Sequence, residues 1–158
     1  MIAALESLVS LKRKEYMKNI YSQSWSKDRE AYGIGQYDID LISLLQSMKR
    51  SGKVLEVGIG DGFPYANQLA ENGYAVFGID ISPTHIDMVK ENHPNIKAFI
   101  GDAEFLDFED DYFDIVYCFR STWYFPDIIK AVSEMIRVIQ PRGACLISKI
   151  FAVKHIRC

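Results

Sequence analysis

The sequence predicts an α/β fold built on a doubly wound parallel sheet with helices on both faces. Two observations lead to this prediction. Short apolar runs, typical of strands that are buried on both faces, alternate with longer segments of helical periodicity. The connections between successive strands are too long for hairpin turns, and repeated strand–helix–strand units of this kind form parallel sheets.

The strands are predicted in a regular order along the chain. A helical pattern in the first twenty residues leads into an aromatic loop, and a further helix then carries apolar residues such as Leu41, Ile42 and Leu45. Five strands follow, at 53–58, 75–80, 96–101, 113–119 and 143–150. We interpret the chain as one domain over residues 1–158, in which residues 1–36 form a helical cap and lid and residues 37–158 form the ligand-binding core.

Proline, serine and glycine mark the ends of the helices between these strands. Pro64 fits the first turn of a helix, where a missing N–H costs little, and Gly73 stops that helix. The next helix is predicted to begin at Ser82 as its N-cap, with Pro83 as its first residue. A helix at 126–139 precedes the fifth strand.

Composition excludes several classes of protein. Hydrophobic residues make up 49% of the chain and charged residues 25%, with a formal net charge of −3, which is typical of an ordinary globular protein. This charge argues against a nucleic-acid partner. Apolar runs fall short of a membrane span, so no membrane partner is expected. The cysteines have no disulfide or zinc spacing, and we expect a reduced, cytoplasmic protein.

A glycine-rich turn ends the first predicted strand. In VLEVGIGDG, at 54–62, Gly58, Gly60 and Gly62 lie where the carboxyl ends of parallel strands form a ligand-binding crevice. Residues without a Cβ can adopt positive φ and let a ligand approach the backbone. The same glycines could serve the tight turn alone, so the flanking residues decide between the two interpretations.

Three carboxylates flank that crevice, each near the end of a predicted strand. Glu56 favours a ligand with an ammonium group, and Asp80 is placed to accept both hydroxyls of a ribose. Asp102 can accept from an exocyclic amine, beside the Ala103 N–H as a donor to a ring nitrogen. Without a lysine or arginine suited to phosphate nearby in sequence, the pattern fits adenosine joined to an amino acid.

These motifs, together with GDAEFLDFEDDYFDIVYC and EMIRVIQPRGACLIS, resemble the class I S-adenosylmethionine-dependent methyltransferases over residues 54–150. The resemblance implies a Rossmann-like sheet of order 3-2-1-4-5, with S-adenosyl-L-methionine as cofactor and S-adenosyl-L-homocysteine as product. It also implies which residues surround the cofactor: Glu56, Gly58, Gly60 and Gly62 the methionine part, Asp80 the ribose, Asp102 and Ala103 the adenine, and Ile81 and Phe119 its apolar rim.

A dinucleotide-dependent dehydrogenase shares this topology. Its fingerprint is G-x-G-x-x-G, whereas this chain has G-x-G-x-G after an acidic residue. Asp102 would also have no role with a dinucleotide, so the methyltransferase interpretation is favoured.

The acceptor side is predicted less sharply. Methyl transfer from a sulfonium is an in-line displacement that positioning and desolvation assist, so a dedicated base is not required. Candidates for a small-molecule acceptor site are Tyr21, Arg120, Trp123 and Tyr124. An ion pair of Arg120 with the acidic stretch 107–111 is the favoured alternative for that residue.

Two further features are expected to be solvated rather than functional. His85 is expected on an exposed helix face, and the acidic run 102–114 is expected to be a solvated loop rather than a metal site.

The C-terminus departs from the resemblance. Strands six and seven of the usual family fold are apparently missing, which leaves the fifth strand as an open edge. We therefore expect either a homo-oligomer that pairs this edge or a shortened form of a longer protein. The alternative function is a non-catalytic S-adenosylmethionine-binding module, or a fragment that acts as a partner subunit.

Overall fold

The computed structural model describes residues 10–12, 14–16, 18 and 33–148. The described residues of the N-terminal segment, 10–12, 14–16 and 18, are helical. The strands are β1 (Lys53–Val57), β2 (Ala75–Asp80), β3 (Lys97–Ile100), β4 (Phe113–Phe119) and β5 (Ile139–Ser148). The helices are α1 (Gln36–Met48), α2 (Tyr65–Glu71), α3 (Pro83–Asn92) and α4 (Ile128–Arg137), with a 3-10 turn at Thr122–Tyr124.

The five strands form one parallel sheet, as the sequence predicts, and its order β3-β2-β1-β4-β5 is the one that the family resemblance implies. Helices α1, α2 and α3 cover one face, through residues such as Leu45, Leu69 and Ile86. Helix α4 and the connection between β3 and β4 cover the other face, where Met135 and Phe113 are buried. Alternate residues of each central strand therefore enter two separate apolar layers, which defines a doubly wound α/β fold.

The helix termini follow the predicted signals with one shift. Ser82 caps α3, and its Oγ accepts a hydrogen bond from the His85 N–H at 3.5 Å. Pro64 was predicted in the first turn of α2 but is its N-cap, so that helix begins at Tyr65. The chain leaves α2 through Gly73, whose φ is +86°.

Strand β5 begins earlier than predicted. Ile139 already pairs with Phe113, but the next pairing joins Ala144 to Ile115, so residues 140–143 bulge away from β4. Arg142 within this bulge has a φ of +71°. The fifth strand, predicted at 143–150, therefore begins four residues earlier, at Ile139. Residues 149 and 150 of that prediction lie outside the described part of the chain.

An arginine holds the long connection between β3 and β4 against α4. Arg137 donates to the carbonyl oxygens of Leu106 (2.7 Å) and Phe108 (2.8 Å) and to both oxygens of Glu134. Glu134 in turn accepts from the Leu106 N–H at 2.9 Å. Asp107 and residues 109–111 are exposed, as predicted, but the expectation of a fully solvated loop was wrong, because Glu104 is buried.

None of the helices in the described ranges combines the length and the apolar character that crossing a bilayer requires.

Glycine at position 78 makes room for the turn after β1. A Cβ on Gly78 would lie 2.2 Å from Ile59 Cδ1 and 3.0 Å from Ile59 Cβ. We expect Gly78→Ala to destabilise the fold by about 1–3 kcal/mol through overpacking. Urea denaturation measures this loss. Adding Ile59→Val, which removes the Cδ1 atom, should recover part of it, and strict additivity of the two substitutions would contradict the packing account.

The hydrogen bond from Arg137, opposed by burial and reinforced by the Leu106 N–H, lowers the pKa of Glu134 below 4.5. The ionised carboxylate therefore stabilises the fold above pH 4.5, and this contribution is lost as the pH falls through the lowered pKa. At neutral pH we expect Glu134→Gln to cost about 1 kcal/mol of unfolding free energy, and the cost should vanish in acid. Glu91→Gln, at an exposed position of α3, is the matched control. If the loss of unfolding free energy in Glu134→Gln does not change with pH, the ionised Glu134 carboxylate is not the source of the stabilisation.

Candidate cofactor site

A cleft opens over the carboxyl ends of the parallel strands, where such sheets bind their ligands. The open space of the cleft, together with its mouth toward solvent, is about 830 Å³. Eight of the nine predicted cofactor residues line it: Glu56, Gly58, Gly60, Asp80, Ile81, Asp102, Ala103 and Phe119. The lining of the cleft does not include Gly62, whose Cβ position faces His93, Val89 and Ile96 instead.

The glycine turn, residues 58–62, is fastened to the end of β2. The N–H groups of Gly58 and Ile59 both donate to the Ile79 carbonyl at 2.9 Å. Gly58 and Gly60 have φ values of +78° and +59°, which favour glycine. A Cβ on Gly58 would also lie 2.6 Å from the Ser121 side chain. Ser121 itself donates from Oγ to the Gly58 carbonyl at 3.1 Å, a support that the sequence did not reveal.

Asp80 connects this turn to the start of α3. Its Oδ2 accepts from the Gly60 N–H at 3.0 Å, and its Oδ1 accepts from the Ser82 N–H at 2.9 Å. The side chain is 13% exposed and lines the cleft. Each carboxylate oxygen has two acceptor positions, so Asp80 is held in a fixed orientation and still has capacity for two donors from a ligand.

His85 is a residue that the sequence analysis placed wrongly. The expectation was a solvated position on an exposed helix face, but His85 is buried and lines the cleft, with Nδ1 3.4 Å from Asp80 Oδ1. It lies in the first turn of α3, which follows directly on the end of β2. Residues in such a turn face the carboxyl end of the sheet, and that position was the signal available in the sequence.

Glu56 enters the cleft from β1 and is itself buried. Its Oε2 accepts from the Tyr117 hydroxyl at 2.9 Å across the β1–β4 pair. Burial first, and then the Glu56 charge, raise the pKa of Tyr117 well above its usual value, so the phenol remains a donor. A hydrogen-bonded buried carboxylate at this place suits a cationic ligand group.

The third carboxylate is paired with a basic residue of the N-terminal segment. Asp102 and Glu104 share the Lys14 ammonium, with both Nζ–O distances at 2.7 Å. Lys14 was not among the predicted site residues, yet it lines the cleft beside Asp102 and Ala103.

Arg120 also has a different partner from the predicted one. Its Nη2 lies 2.7 Å from Oδ1 of the buried Asp38 in α1, and not against the acidic stretch 107–111. Asp38 further accepts from the Tyr65 hydroxyl and from the Gly35 N–H. Arg120 has a φ of +61°, so the chain turns sharply at the end of β4 and brings the guanidinium to the cleft.

The other acceptor-side candidates are placed unevenly. Tyr124 lines the cleft. Trp123 lies beside it, with ring centroids 5.1 Å apart, but does not line the cleft. Tyr21 lies outside the described residues.

The donor and acceptor set of the cleft fits S-adenosylmethionine better than a phosphate ligand. Three acidic side chains line it, and the Lys14 ammonium and the Arg120 guanidinium are each paired with carboxylates. Ammonium, hydroxyl and amine groups are what such carboxylates accept. Within the described ranges, His, Cys, Asp and Glu side chains do not group in threes as a metal site would require.

Comparison with known proteins agrees with the fold. A family model described as a methyltransferase domain matches residues 55–147. A demethylmenaquinone methyltransferase of Chlorobaculum tepidum is 31% identical over 99 residues, which are 63% of this chain and 41% of that protein. YcgJ, an uncharacterised methyltransferase of Bacillus subtilis, is 28% identical over 133 residues, 80% of this chain and 51% of that protein.

Solved structures include a similar protein, PH0226 of Pyrococcus horikoshii. It is 32% identical with a TM-score of 0.63, and the match covers 72% of this chain and 58% of that one.

The fold and the cleft define an α/β protein with a candidate ligand site at the carboxyl ends of a parallel sheet. The chain belongs to the class I S-adenosylmethionine-dependent methyltransferase family, whose methyl donor is S-adenosyl-L-methionine. It spans about half the length of the curated relatives, 41% and 51% of the two described above.

Proposed function

We propose that the chain binds S-adenosylmethionine in the cleft and transfers its methyl group to a small-molecule acceptor. The observation that carries this proposal is the Asp80 carboxylate, which is held by the Gly60 and Ser82 N–H groups and is open to the cleft. Two adjacent hydroxyls of a ribose match its two oxygens. The cytoplasmic location and the absence of a nucleic-acid partner remain predictions from composition.

The other cleft residues suit the remaining parts of the cofactor. Glu56 would accept from the ammonium of the methionine part, and Gly58 and Gly60 would let that part approach the backbone. Asp102 and the Ala103 N–H would hold the adenine, with Ile81 and Phe119 as apolar neighbours. Gly62 would support the turn by packing against α3, since its Cβ position faces Val89 and His93.

The cofactor supplies a sulfonium-activated methyl group, whose in-line transfer requires alignment and exclusion of water. The residues of this chain would contribute position rather than proton transfer. Tyr124, Arg120 and the neighbouring Trp123 are the candidates for holding the acceptor at the end of β4. The aromatic character of this wall favours a small organic acceptor.

Calorimetric titration with S-adenosylmethionine and S-adenosylhomocysteine tests the proposal. We expect micromolar binding, and we expect Asp80→Ala to weaken it at least about tenfold, because two hydrogen bonds to a charged acceptor are lost. Asp87→Ala, at an exposed position of α3, is the matched control and should bind normally. A thermal melt of each variant separates lost binding from lost folding. A folded wild-type chain that binds neither ligand would overturn the proposal.

The free edge of β5 generates a separate proposal about assembly. Within the described residues, β5 pairs with β4 alone. An open strand edge is normally covered or paired, and we propose that it pairs with a second copy. Light scattering should then give twice the mass of 18.1 kDa. A monomer with fast amide exchange along residues 144–148 would contradict this.

A further inference from the structure

A lysine of the N-terminal segment reaches the wall of the cleft. Lys14 precedes Asp102 by 88 residues, yet its Nζ lies 2.7 Å from Asp102 Oδ2 and 2.7 Å from Glu104 Oε2. Only 15% of the Lys14 side chain is exposed. The contact joins a segment that is not part of the sheet to the loop that follows β3.

This contact is more than a surface ion pair. The Glu104 side chain is 6% exposed, and its Oε1 accepts from the Asp127 N–H at 3.0 Å, directly before α4. Burial disfavours the charge of Lys14, but the hydrogen bonds to Asp102 and Glu104 outweigh it and raise the pKa of Lys14 above 10.5. The ammonium is therefore charged at neutral pH, and Glu104 holds it as a second carboxylate partner beside Asp102.

The consequence for Asp102 is a fixed orientation. Its Oδ1 accepts from the Glu104 N–H at 3.0 Å, while its Oδ2 accepts from Lys14. The Asp102 side chain is 31% exposed, so without Lys14 one oxygen would be held and the other would face solvent. Each oxygen keeps a second acceptor position. A carboxylate that is already oriented loses less freedom when a ligand donates to it.

We propose that Lys14 is a positioning residue of the cofactor site, which orients the Asp102 carboxylate to accept a hydrogen bond from the exocyclic amine of adenine. This inference rests on the proposed function. With Lys14 in this role, the chain recognises adenine only while the N-terminal segment lies against the cleft. This role also makes the site select an amino purine over an oxo purine, whose oxygen would face the fixed carboxylate oxygen.

The test compares S-adenosylhomocysteine with its inosine counterpart, in which an oxo group replaces the amine. Calorimetry gives the ratio of the two dissociation constants for the wild-type chain, for Lys14→Met and for Lys12→Met. We expect Lys14→Met to reduce the preference for adenine about tenfold. Adenine must then immobilise the Asp102 side chain as it binds, and the entropy cost of ordering one side chain corresponds to about this factor. Lys12 is exposed on the same segment, and Lys12→Met removes the same charge, so its ratio should equal that of the wild type.

Two further variants separate positioning from folding. Lys14→Met leaves the Glu104 charge buried beside an apolar side chain, which destabilises the loop. Adding Glu104→Gln removes that charge and keeps an oxygen that accepts from the Asp127 N–H, so stability should return while the preference stays low. Lys14→Arg keeps two N–H donors for the two carboxylates and should retain most of the preference.

Three results would overturn the inference. If Lys14→Met weakens both ligands equally and leaves their ratio unchanged, Lys14 is structural only. If Lys14→Met binds S-adenosylhomocysteine more tightly, Lys14 competes with the base rather than positioning its partner. If the folded wild-type chain binds neither ligand, the proposed function fails and this inference fails with it. If the wild-type chain binds S-adenosylhomocysteine normally and Lys14→Met has the same ratio of dissociation constants as the wild type, this inference alone is overturned.

Discussion

The hydrogen bond from the Gly60 N–H to the Asp80 carboxylate is the constraint on which the site depends. It fixes the glycine turn to the end of β2, and the two N–H groups that share the Ile79 carbonyl fix the same turn from its other end. The turn can lie so close to β2 only because Gly78 has no side chain beneath Ile59. The same carboxylate also anchors the start of α3 through Ser82. One acidic side chain thus sets the positions of two helix–strand units around the cleft.

Each of the three carboxylates in the cleft is held by a different kind of hydrogen-bond donor. The three groups can therefore contact different chemical parts of one ligand. Asp80 is held by backbone N–H groups, Glu56 by the Tyr117 phenol and Asp102 by the Lys14 ammonium together with the Glu104 N–H. The low dielectric of a half-buried cleft strengthens hydrogen bonds to such groups and makes unpaired ones costly. The site is therefore oriented before a ligand enters, which reduces the entropy cost of binding.

The sequence predicts the strands, the helices and most of the cleft because those features are local, whereas the order of the strands came from the family resemblance. Strand and helix periods, the glycine turn and the acidic residues near the strand ends all lie within short segments, and the parallel topology brings their ends together. Partners from distant elements were not predictable in this way. Arg120 meets Asp38 of α1, and Asp102 meets Lys14 of the N-terminal segment. Glu104 contacts Lys14 and the Asp127 N–H, which are distant in sequence, whereas the place of His85 in the first turn after β2 was a signal that the sequence did contain.

A crystal structure of the chain with S-adenosylhomocysteine tests the central claim most directly. The account predicts that both ribose hydroxyls lie within hydrogen-bond distance of the Asp80 carboxylate, while Gly60 still donates to it and the adenine amine faces Asp102. A ligand bound elsewhere, or an Asp80 side chain turned away from the ribose, would contradict the account.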